Sequence, residues 1–370
     1  MRLTCQRGAL AAALQTVGGV VPTRTPKPIL QNVKLQSKEG EAIITGTDQE
    51  VGIRYRIREA DVQKPGEILL PAQRTLAILR EMQGETVVIE AKGDAILVRG
   101  DRAEYSLASA DPAEFPTVTE FDEKSYFTIS ARQLKQMIRR TIFATDTEST
   151  RYALGGVLVE LTNEGITLAA TDTRRLAVVR GQCEAHGSPA GDNAIPVVPS
   201  KAMSLIERSL VNDEETVSLV IRGNDALIKT EATTIYSRLV EGRFPRYRDV
   251  IPTQSKVSID LVAGAFHAAV RQAQIVTNEE SRGVDFNFAS GMLTLKSIAA
   301  EIGESKVELP IAYEGAELPI TFDPRYVADF LKVLEPEQQV KLDLIDSESA
   351  AVLRTDDGYT YIIMPLSRDR

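Results

Sequence analysis

Apolar and polar positions follow two different periods along this chain, and the two periods succeed one another in a fixed order. The segment YFTISARQLKQMIRRTIFAT begins at Tyr126 with a short strand-like alternation. Its apolar residues then recur every three or four positions, which is typical of an amphipathic helix that packs on one face. The same order of strand, turn and helix occurs in the segments that begin at Arg2 and Lys256. The pattern therefore predicts a repeated strand–helix unit.

A second series of segments repeats in step with the first. Each member reads as a strand, a turn that contains proline and a helix, and the three begin at Ile68, Ile195 and Leu318. Alternating runs bounded by Gly, Asn and Asp lie between them and predict antiparallel hairpins. Together the two series predict six helices, at residues 6–17, 72–83, 131–143, 200–211, 261–275 and 324–334.

These repeats divide the chain into three domains of one plan. A length of 370 residues exceeds what a single core usually holds. The predicted domains are residues 1–123, 124–254 and 255–370, and each is expected to pack two helices on antiparallel sheets. The predicted fold class is therefore α+β.

Two aspartates stand in a motif that occurs twice. Asp48 in TGTDQE and Asp172 in AATDTRR would each look catalytic in isolation. Their recurrence at equivalent places favours a turn, because an aspartate carboxylate readily accepts hydrogen bonds from the backbone N–H groups that follow it.

The charge of the chain is acidic, with a net value of −9. A molecule of this sign as a whole repels nucleic acid and anionic membranes, so an anionic partner must meet a local basic surface. Each of the six predicted helices nevertheless has a net positive charge. The third has the most cations and no acid, and they are Arg132, Lys135, Arg139 and Arg140.

This third helix carries its cations opposite its packing face. At about 100° per residue, Arg132, Lys135 and Arg139 lie across the helix from Leu134 and Ile138. Cations on a shared surface are the electrostatic footprint of a phosphate backbone, and without interleaved aromatic residues they indicate duplex contact without sequence preference. The alternative for any single helix is an ordinary solvated face.

Patterns for catalysis or metal binding do not occur in the sequence. The two cysteines, Cys5 and Cys183, and the two histidines, His186 and His267, are too few for a disulfide framework, a common triad or a zinc site. Neither a phosphate-binding loop nor a nucleophile elbow is found. The sequence thus predicts a non-enzymatic protein without a metal or other cofactor. It would be either a nucleic-acid-binding protein or a repeat-built, β-rich scaffold or adhesion protein without DNA binding.

The chain contains no apolar run of the roughly 18 residues that a membrane span needs. Its alanine-rich N-terminus is similar to a signal peptide, but the same element recurs twice further along. We therefore interpret it as part of the first domain and expect a cytoplasmic protein with no membrane partner.

Several motifs together resemble the bacterial sliding clamp family, the β subunits of DNA polymerase III. The resemblance covers essentially the whole chain. Its most specific segments are TGTDQE, AATDTRRLAV, RTPKPILQNVKLQ from Arg24, RLVEGRFPRYRDVIP from Arg238, NEESRGV from Asn278 and the late YIIMPL. The resemblance implies that three clamp domains form half of a closed ring, that two chains close it head to tail, and that helices line the hole.

The function that this resemblance implies is that of a processivity factor. A homodimer would encircle double-stranded DNA without sequence specificity. It would hold the replicative polymerase, the clamp loader and other replication or repair proteins through linear peptide motifs. Helix dimensions agree with two chains per ring, because helices are about 10 Å wide and twelve of them enclose a bore of about 28 Å. A B-DNA duplex about 20 Å across fits that bore, whereas six helices leave almost no hole.

The resemblance also implies three sets of site residues. A peptide-binding pocket would be lined by Leu154, Thr171, Arg175, Leu176, Pro245, Val250, Tyr326, Ile362, Met364, Pro365 and Leu366. With the cations of the third helix, the DNA-facing set is Arg24, Arg74, Arg132, Lys135, Arg139, Arg151, Tyr152 and Lys201. The dimer interface would join Arg99, Arg102, Tyr105 and Leu107 of one chain to Ile275, Val276, Glu301 and Glu304 of the other.

Part of the pocket has a plainer interpretation. The segment YIIMPL also reads as a last core strand, which suits Ile362 and Ile363 better than the three residues after them, since proline cannot continue a strand ladder. The positions at which the chain departs from the family pattern, and which bear on peptide preference, are Thr173, Arg174, Asp249, Ala350 and the terminal residues 367–370.

Overall fold

The computed structural model describes residues 1–38, 40–146, 148, 153–188, 196–278 and 282–366. Arg151, Tyr152 and the terminal residues 367–370, which the sequence analysis singled out, lie outside the described residues. The chain divides into two compact units. The first holds the described parts of residues 1–135, 183–194 and 201–239, and the second those of residues 136–182, 195–200 and 240–370.

Six α-helices occur in the described part of the chain, and each lies where the apolar periodicity predicts one. They are α1 (Arg7–Val17), α2 (Ala72–Glu81), α3 (Ala131–Arg139), α4 (Ser200–Ser209), α5 (Ala263–Ala273) and α6 (Pro324–Lys332). All but the first end before the predicted residue.

The end of α3 shows why these predictions ran too long. The hydroxyl of Thr141 donates to the carbonyls of Met137 and Ile138, at 2.9 and 3.2 Å. Those carbonyls are thereby satisfied without a further helical turn, and a 3₁₀ turn follows at Ile142–Ala144. An apolar pattern continues through such a turn, so periodicity alone misses the stop.

The strands are short and fall in three series along the chain. The first series is β1 (Arg2–Gln6), β2 (Asn32–Lys38), β3 (Glu41–Thr47), β4 (Val51–Ile57), β5 (Asp61–Lys64), β6 (Gly66–Pro71), β7 (Thr86–Lys92), β8 (Ala95–Arg99) and β9 (Glu104–Ala108). The second is β10 (Tyr126–Ser130), β11 (Gly156–Thr162), β12 (Gly165–Thr171), β13 (Arg175–Gly181), β14 (Glu184–His186), β15 (Val197–Pro199), β16 (Thr216–Arg222), β17 (Asp225–Lys229) and β18 (Thr233–Arg238). The third is β19 (Val257–Val262), β20 (Val284–Ala289), β21 (Met292–Ala299), β22 (Gly303–Pro310), β23 (Leu318–Phe322), β24 (Gln339–Leu344), β25 (Ala351–Arg354) and β26 (Tyr359–Ile363).

The first unit contains two antiparallel sheets. The smaller has the strand order β5-β1-β7-β8-β9, and the larger has the order β14-β10-β16-β17-β18-β4-β3-β2-β6. In the larger sheet β18 pairs with β4, with Ile235 opposite Ile53. A strand of the second predicted domain therefore continues the sheet of the first, which is why this unit extends beyond residue 123.

The second unit has the same kind of arrangement. Its sheets have the orders β15-β11-β12-β13-β26-β25-β24-β19 and β22-β21-β20-β23. Here β13 pairs with β26, with Ala177 opposite Tyr361, so the third domain extends the sheet of the second. Helix α5 begins at Ala263 rather than at residue 261, because β19 stays paired with β24 through Val262.

Each unit has its own apolar core. In the first, α1 packs on α2 and on the adjoining sheet, and Leu10 and Leu14 are fully buried. In the second, α5 packs on α6, and the buried rings of Phe266 and Phe286 meet edge to face at 6.2 Å. Pairs of helices on antiparallel sheets are the α+β plan that the repeats predict.

Both cysteines are free thiols in the structure. Burial raises the pKa of Cys5 to about 11, so that thiol stays protonated and unreactive near neutral pH. Within the described residues, no group of His, Cys, Asp and Glu side chains is placed to hold a metal ion. None of the helices in that part of the chain has the length and apolar content that crossing a bilayer requires.

Candidate functional site

The repeated aspartates are turn residues. One carboxylate oxygen of Asp48, Oδ1, accepts hydrogen bonds from the backbone N–H groups of Glu50 and Val51, at 3.0 and 2.7 Å. Oδ1 of Asp172 likewise accepts from the N–H groups of Arg174 and Arg175, both at 3.0 Å. The prediction of a turn rather than a catalytic pair is confirmed.

The two turns share a left-handed residue directly after the aspartate. Gln49 has φ of 81° and Thr173 has φ of 74°. This backbone region is costly for residues other than glycine and more so for a β-branched one. Thr173 is one of the positions at which the chain departs from the family pattern, and it therefore holds a strained conformation beside the predicted pocket.

Arg175 lies at the centre of a network of contacts next to that turn. Its Nε donates to Asp172 at 2.9 Å, its Nη1 to Asp329 at 2.6 Å, and its Nη2 to the carbonyl of Phe143 at 2.7 Å. The guanidinium also lies over the ring of Tyr326, 4.5 Å from its centroid. Each of the three guanidinium nitrogens thus donates to a partner within the chain, and these bonds fix the position of Arg175.

The ionisation of Arg175 follows from these contacts. Burial by itself lowers the pKa of the guanidinium, and the neighbouring Tyr361 and the two carboxylates of Asp329 and Asp172 outweigh burial, so its pKa is raised. A permanently charged guanidinium therefore joins α6 to the turn between β12 and β13.

Several residues of the predicted pocket form an apolar floor in the eight-stranded sheet. Leu176 on β13 stands opposite Ile362 on β26, and both are buried. They belong to a buried cluster with Leu158, Phe244 and Tyr247. Leu154 and Thr171 of the predicted pocket are buried as well. The alternative of a plain core strand holds for Ile362 and Ile363, whereas β26 ends before Met364.

The other residues of the predicted pocket, which we call its rim, are more exposed than these. Val250 is 59% and Met364 45% exposed, which is unusual for large apolar side chains in this chain. Pro245, Tyr326, Pro365 and Leu366 are half-buried. Exposed apolar side chains of this kind are what a surface that takes the apolar side chains of a peptide requires.

The segment after β26 is held by backbone hydrogen bonds on both sides. The N–H of Met364 donates to the carbonyl of Arg174 at 2.9 Å, and the N–H of Leu366 donates to the carbonyl of Thr321 at 2.8 Å. Arg174 and Asp249 are exposed, and Ala350 packs against the buried cluster. Two of the four departures from the family pattern thus present charge to solvent near the rim.

Sequence reasoning missed the residues that hold Arg175 and Tyr326 of the predicted pocket in place. Asp329 and Phe143 anchor Arg175, and the hydroxyl of Tyr361 donates to the carbonyl of Tyr326 at 2.9 Å. Tyr361 belongs to the alternation of the last strand, and Asp329 is the one acid of α6. In the sequence, the only indication of these contacts was Asp329, a single acid on a helix that buries one face.

The third helix does not present all four of its cations to solvent. Arg132 and Arg139 are exposed and Lys135 is half-buried, but Arg140 is buried and forms an ion pair of 2.7 Å with Asp357. The predicted outward face holds Arg132, Lys135 and Arg139, so Arg140 counts toward the charge of the predicted helix but not toward its cationic surface. Because α3 ends at Arg139, the residue after it no longer follows the helical face.

A second helical cation is also used within the chain. Arg7 at the start of α1 donates to the carbonyls of Leu79 and Gly84, both at 2.8 Å. It thereby satisfies a carbonyl in the last turn of α2, which is a structural role. Arg7 and Arg140 therefore add to the net positive charge of the predicted helices but not to the cationic surface that a ligand could meet.

The remaining cations of the predicted DNA-facing set in the first unit fall in two groups. Arg132 pairs with Glu214, Lys135 with Asp213 at 3.2 Å, and Lys201 with Asp48. Arg24 and Arg74 are exposed, and no carboxylate within the described part of the chain pairs with either.

The predicted dimer residues lie on or beside two outer strands. β9 is an outer strand of the five-stranded sheet, and of its residues Leu107 is buried while Tyr105 is exposed. β22 is an outer strand of the four-stranded sheet and has no buried residue. Outer strands present unpaired backbone N–H and C=O groups, to which a further strand can add.

The predicted interface side chains near these strands differ in exposure and in their partners. Ile275, Glu301 and Glu304 are exposed and Val276 is half-buried. Arg102 is exposed, but Arg99 already pairs with Glu90 and Glu104.

Two further apolar residues near β22 were missed by sequence reasoning. Ile298 and Ile302 are more than half exposed. Ile298 lies at an outward position of β21, on the polar side of the strand alternation. An isoleucine at such a position could have indicated an exposed apolar surface.

Comparisons with known proteins cover nearly the whole chain. Family models described as DNA polymerase III beta subunit match in tandem, with the N-terminal domain at residues 1–119, the central domain at 128–246 and the C-terminal domain at 248–367. A protein named beta sliding clamp from Pseudomonas putida is 32% identical over 99% of this chain and 100% of its own length.

Solved structures are similar over the full length as well. The DNA polymerase III subunit beta of Pseudomonas aeruginosa superposes with a TM-score of 0.91 at 31% identity, covering 100% of both chains. The DNA polymerase sliding clamp of Bacillus subtilis gives a TM-score of 0.92 at 27% identity, covering 100% of this chain and 99% of its own.

Proposed function

The chain belongs to the family of DNA polymerase III β subunits, the sliding clamps, and on that premise we propose that two copies close a ring around duplex DNA and tether a polymerase to it. The observation that carries this proposal is the tandem match of all three clamp domains in their order. The alternative of a scaffold or adhesion protein without DNA binding is set aside, because its repeats would not match these domains.

DNA contact is assigned to exposed cations of the helices and of one loop. Arg74 on α2, Arg132 on α3 and Arg24 before β2 are exposed. Cations of this kind attract phosphates without reading bases, and such contacts fix position but carry no sequence information. A ring that encircles the duplex needs no tighter hold, since topology keeps it on the DNA.

Partner proteins are assigned to the pocket of the second unit. Its apolar floor and its exposed rim at Val250 and Met364 suit a short peptide with apolar side chains. A flexible methionine beside proline and branched aliphatic residues can adapt to several peptides. The polymerase and the clamp loader would therefore compete for one site.

Ring closure is assigned to the two outer strands. β9 of one chain would add to β22 of the other, with Tyr105 facing the exposed Ile275 and Ile298. Added strands give main-chain hydrogen bonds, and the apolar side chains between them exclude water. The exposed Arg102 and the exposed Glu301 and Glu304 supply opposite charges across this contact.

A clamp acts by topology and binding, so we assign no catalytic residue and no cofactor. The proposal places the protein in the cytoplasm, where bacterial DNA is replicated.

Retention on circular DNA tests the proposal. The purified protein, loaded by a clamp loader onto nicked circular DNA, should remain bound through gel filtration and leave when the circle is cut once. Equal loss from circular and linear DNA would contradict encirclement. A protein that binds neither would contradict the function as a whole.

A further inference from the structure

A short acidic loop is fixed against the start of α3. The N–H of Ala131 donates to the carbonyl of Glu215 at 2.9 Å, and the N–H of Arg132 donates to the carbonyl of Asp213 at 3.2 Å. Within the loop, the N–H of Glu214 donates to the side-chain oxygen of Asn212 at 3.1 Å. The backbone of the loop is thus tied to the helix independently of its carboxylates.

The carboxylates of this loop meet the cations of the helix. Glu214 pairs with Arg132, and Asp213 pairs with Lys135 at 3.2 Å. Arg132 and Lys135 are three positions apart and therefore share one face of α3. Two cations of the predicted DNA-facing set are therefore each paired with one acid of the same chain.

A third pair has the same character at the second helix of this repeat. Lys201 on α4 pairs with Oδ2 of Asp48. Oδ1 of Asp48 is held by the N–H groups of the turn, so this carboxylate is fixed in place as well. Each of the three pairs has no net charge.

We infer that these carboxylates act as built-in counterions, which compete with DNA phosphates for Arg132, Lys135 and Lys201 and so keep the hold on DNA weak. This inference rests on the proposed function, because it needs these cations to face the duplex. A phosphate that approaches Arg132 must displace Glu214 or bind beside it, and either event costs part of the attraction. The cations remain in place, and only the strength of their contact is lowered.

Salt dependence should carry the signature of this competition. Each phosphate that a cation neutralises releases counterions from DNA and steepens the fall of affinity with salt. A cation that stays with its own carboxylate contributes less to that slope. The built-in acids therefore predict a shallow slope, which suits a ring that moves along the duplex.

Neutralising the loop acids tests the inference in the full-length dimer. Asp213→Asn together with Glu214→Gln keeps side-chain size and leaves the backbone ties of the loop intact. Binding of a fluorescent duplex, followed by anisotropy from low to physiological salt, should tighten about fivefold at low salt and fall more steeply as salt rises. Unchanged affinity and slope would overturn the inference.

A charge-matched control separates competition from net charge. Glu67→Gln together with Glu120→Gln also removes two paired carboxylates, whose partners Lys34 and Arg54 have no assigned DNA role. This control should bind DNA as the wild type does. An equal gain in the control would show a general charge effect and would overturn the inference.

A double-mutant cycle tests whether the acids act through Arg132 and Lys135. The loop substitutions are made again in a protein that already carries Arg132→Gln and Lys135→Gln. In that background they should no longer raise the affinity for DNA, compared with the protein that carries only those two helix substitutions. A gain that persists would mean that the acids repel phosphate directly, and competition would be excluded. Failure of the proposed function is recognised separately, since the wild type would then not be retained on nicked circular DNA.

Discussion

Arg140 and Asp357 form an ion pair of 2.7 Å, in which the arginine side chain is 4% exposed and the aspartate 39%. The guanidinium lies over the ring of Tyr359, 5.1 Å from its centroid, and the hydroxyl of Tyr359 donates to the carbonyl of Arg140 at 2.7 Å. Arg140, the residue after α3, therefore connects that helix to the hairpin formed by β25 and β26. Its charge stabilises the folded chain and is not available to a ligand.

Replacing Arg140 by methionine should destabilise the protein. Breaking a buried pair leaves a carboxylate without its partner, which usually costs about 3–5 kcal/mol. Because Asp357 is partly hydrated, we expect a loss of about 2 kcal/mol in the free energy of unfolding. Equilibrium urea unfolding measures it. The matched control is Arg132→Met on α3, whose exposed pair should change stability by less than about 0.5 kcal/mol. Equal losses in the two variants would contradict this assignment.

The Arg140–Asp357 pair should also make stability depend on pH. Burial raises the pKa of Asp357. The hydrogen bond and charge of Arg140, together with a hydrogen bond from Thr355, lower this pKa by more than burial raises it, so the folded-state pKa lies below the ordinary value. A depressed pKa contributes stability above the unfolded value of about 4, and this contribution is lost as pH falls through the folded value. The stability difference between wild type and Asp357→Asn should be constant near neutral pH and shrink below about pH 4. A difference that stays constant in acid would exclude the pair as its source.

Thr173→Gly should stabilise the turn beside the pocket. Thr173 has φ of 74°, which a β-branched residue adopts at a cost and glycine adopts freely. After the entropy that glycine adds to the unfolded chain, we expect a gain of about 0.5–1 kcal/mol in the free energy of unfolding. Thr173→Ala removes the branch but keeps the strain, so it should gain less. If alanine stabilises as much as glycine, the left-handed backbone is not the cause.

Truncating the pocket rim should weaken peptide binding without harming the fold. Val250→Ala and Met364→Ala each remove apolar area that a docked peptide would cover, worth about 1–2 kcal/mol, or up to about thirtyfold in affinity. Both side chains are exposed in the free chain, so the melting temperature should hardly change. Titration of a synthetic clamp-binding peptide by calorimetry measures the effect. Val211→Ala, an exposed valine outside the pocket, is the control. Equal affinity for all four proteins would place the peptide elsewhere.

Charges at the exposed isoleucines should separate the dimer. Ile275→Asp together with Ile298→Asp would bury two carboxylates without partners in the proposed interface, each costing several kcal/mol. Analytical ultracentrifugation should show monomers that still melt cooperatively, since both residues are exposed within the chain. Val211→Asp should remain dimeric. A double variant that sediments as a dimer would refute the interface.

The fold was largely predictable because its signals are local. Helix starts such as Asp323–Pro324 combine a capping carboxylate with proline in the first turn, and the carboxylate of Asp323 accepts from the N–H of Arg325 as that pattern requires. The turn role of Asp48 and Asp172 likewise depends on residues within three positions. The contacts within the predicted pocket were harder to predict from the sequence, because Arg175 is held by Phe143 and Asp329, which lie far from it in the chain.

The sequence by itself determined the three repeats, the six helices and the alternating strands, since periodicity and turn chemistry act over a few residues. Only the tertiary structure decided which charges reach solvent. Arg140 turns inward to Asp357, and Arg132 meets Glu214 across more than eighty residues of chain. A charge is recognised in sequence by its sign alone, whereas its partner is chosen by the folding of distant segments. For that reason the sequence indicated a cationic helix, and the structure showed that Arg132 and Lys135 of that helix pair with acids of the same chain.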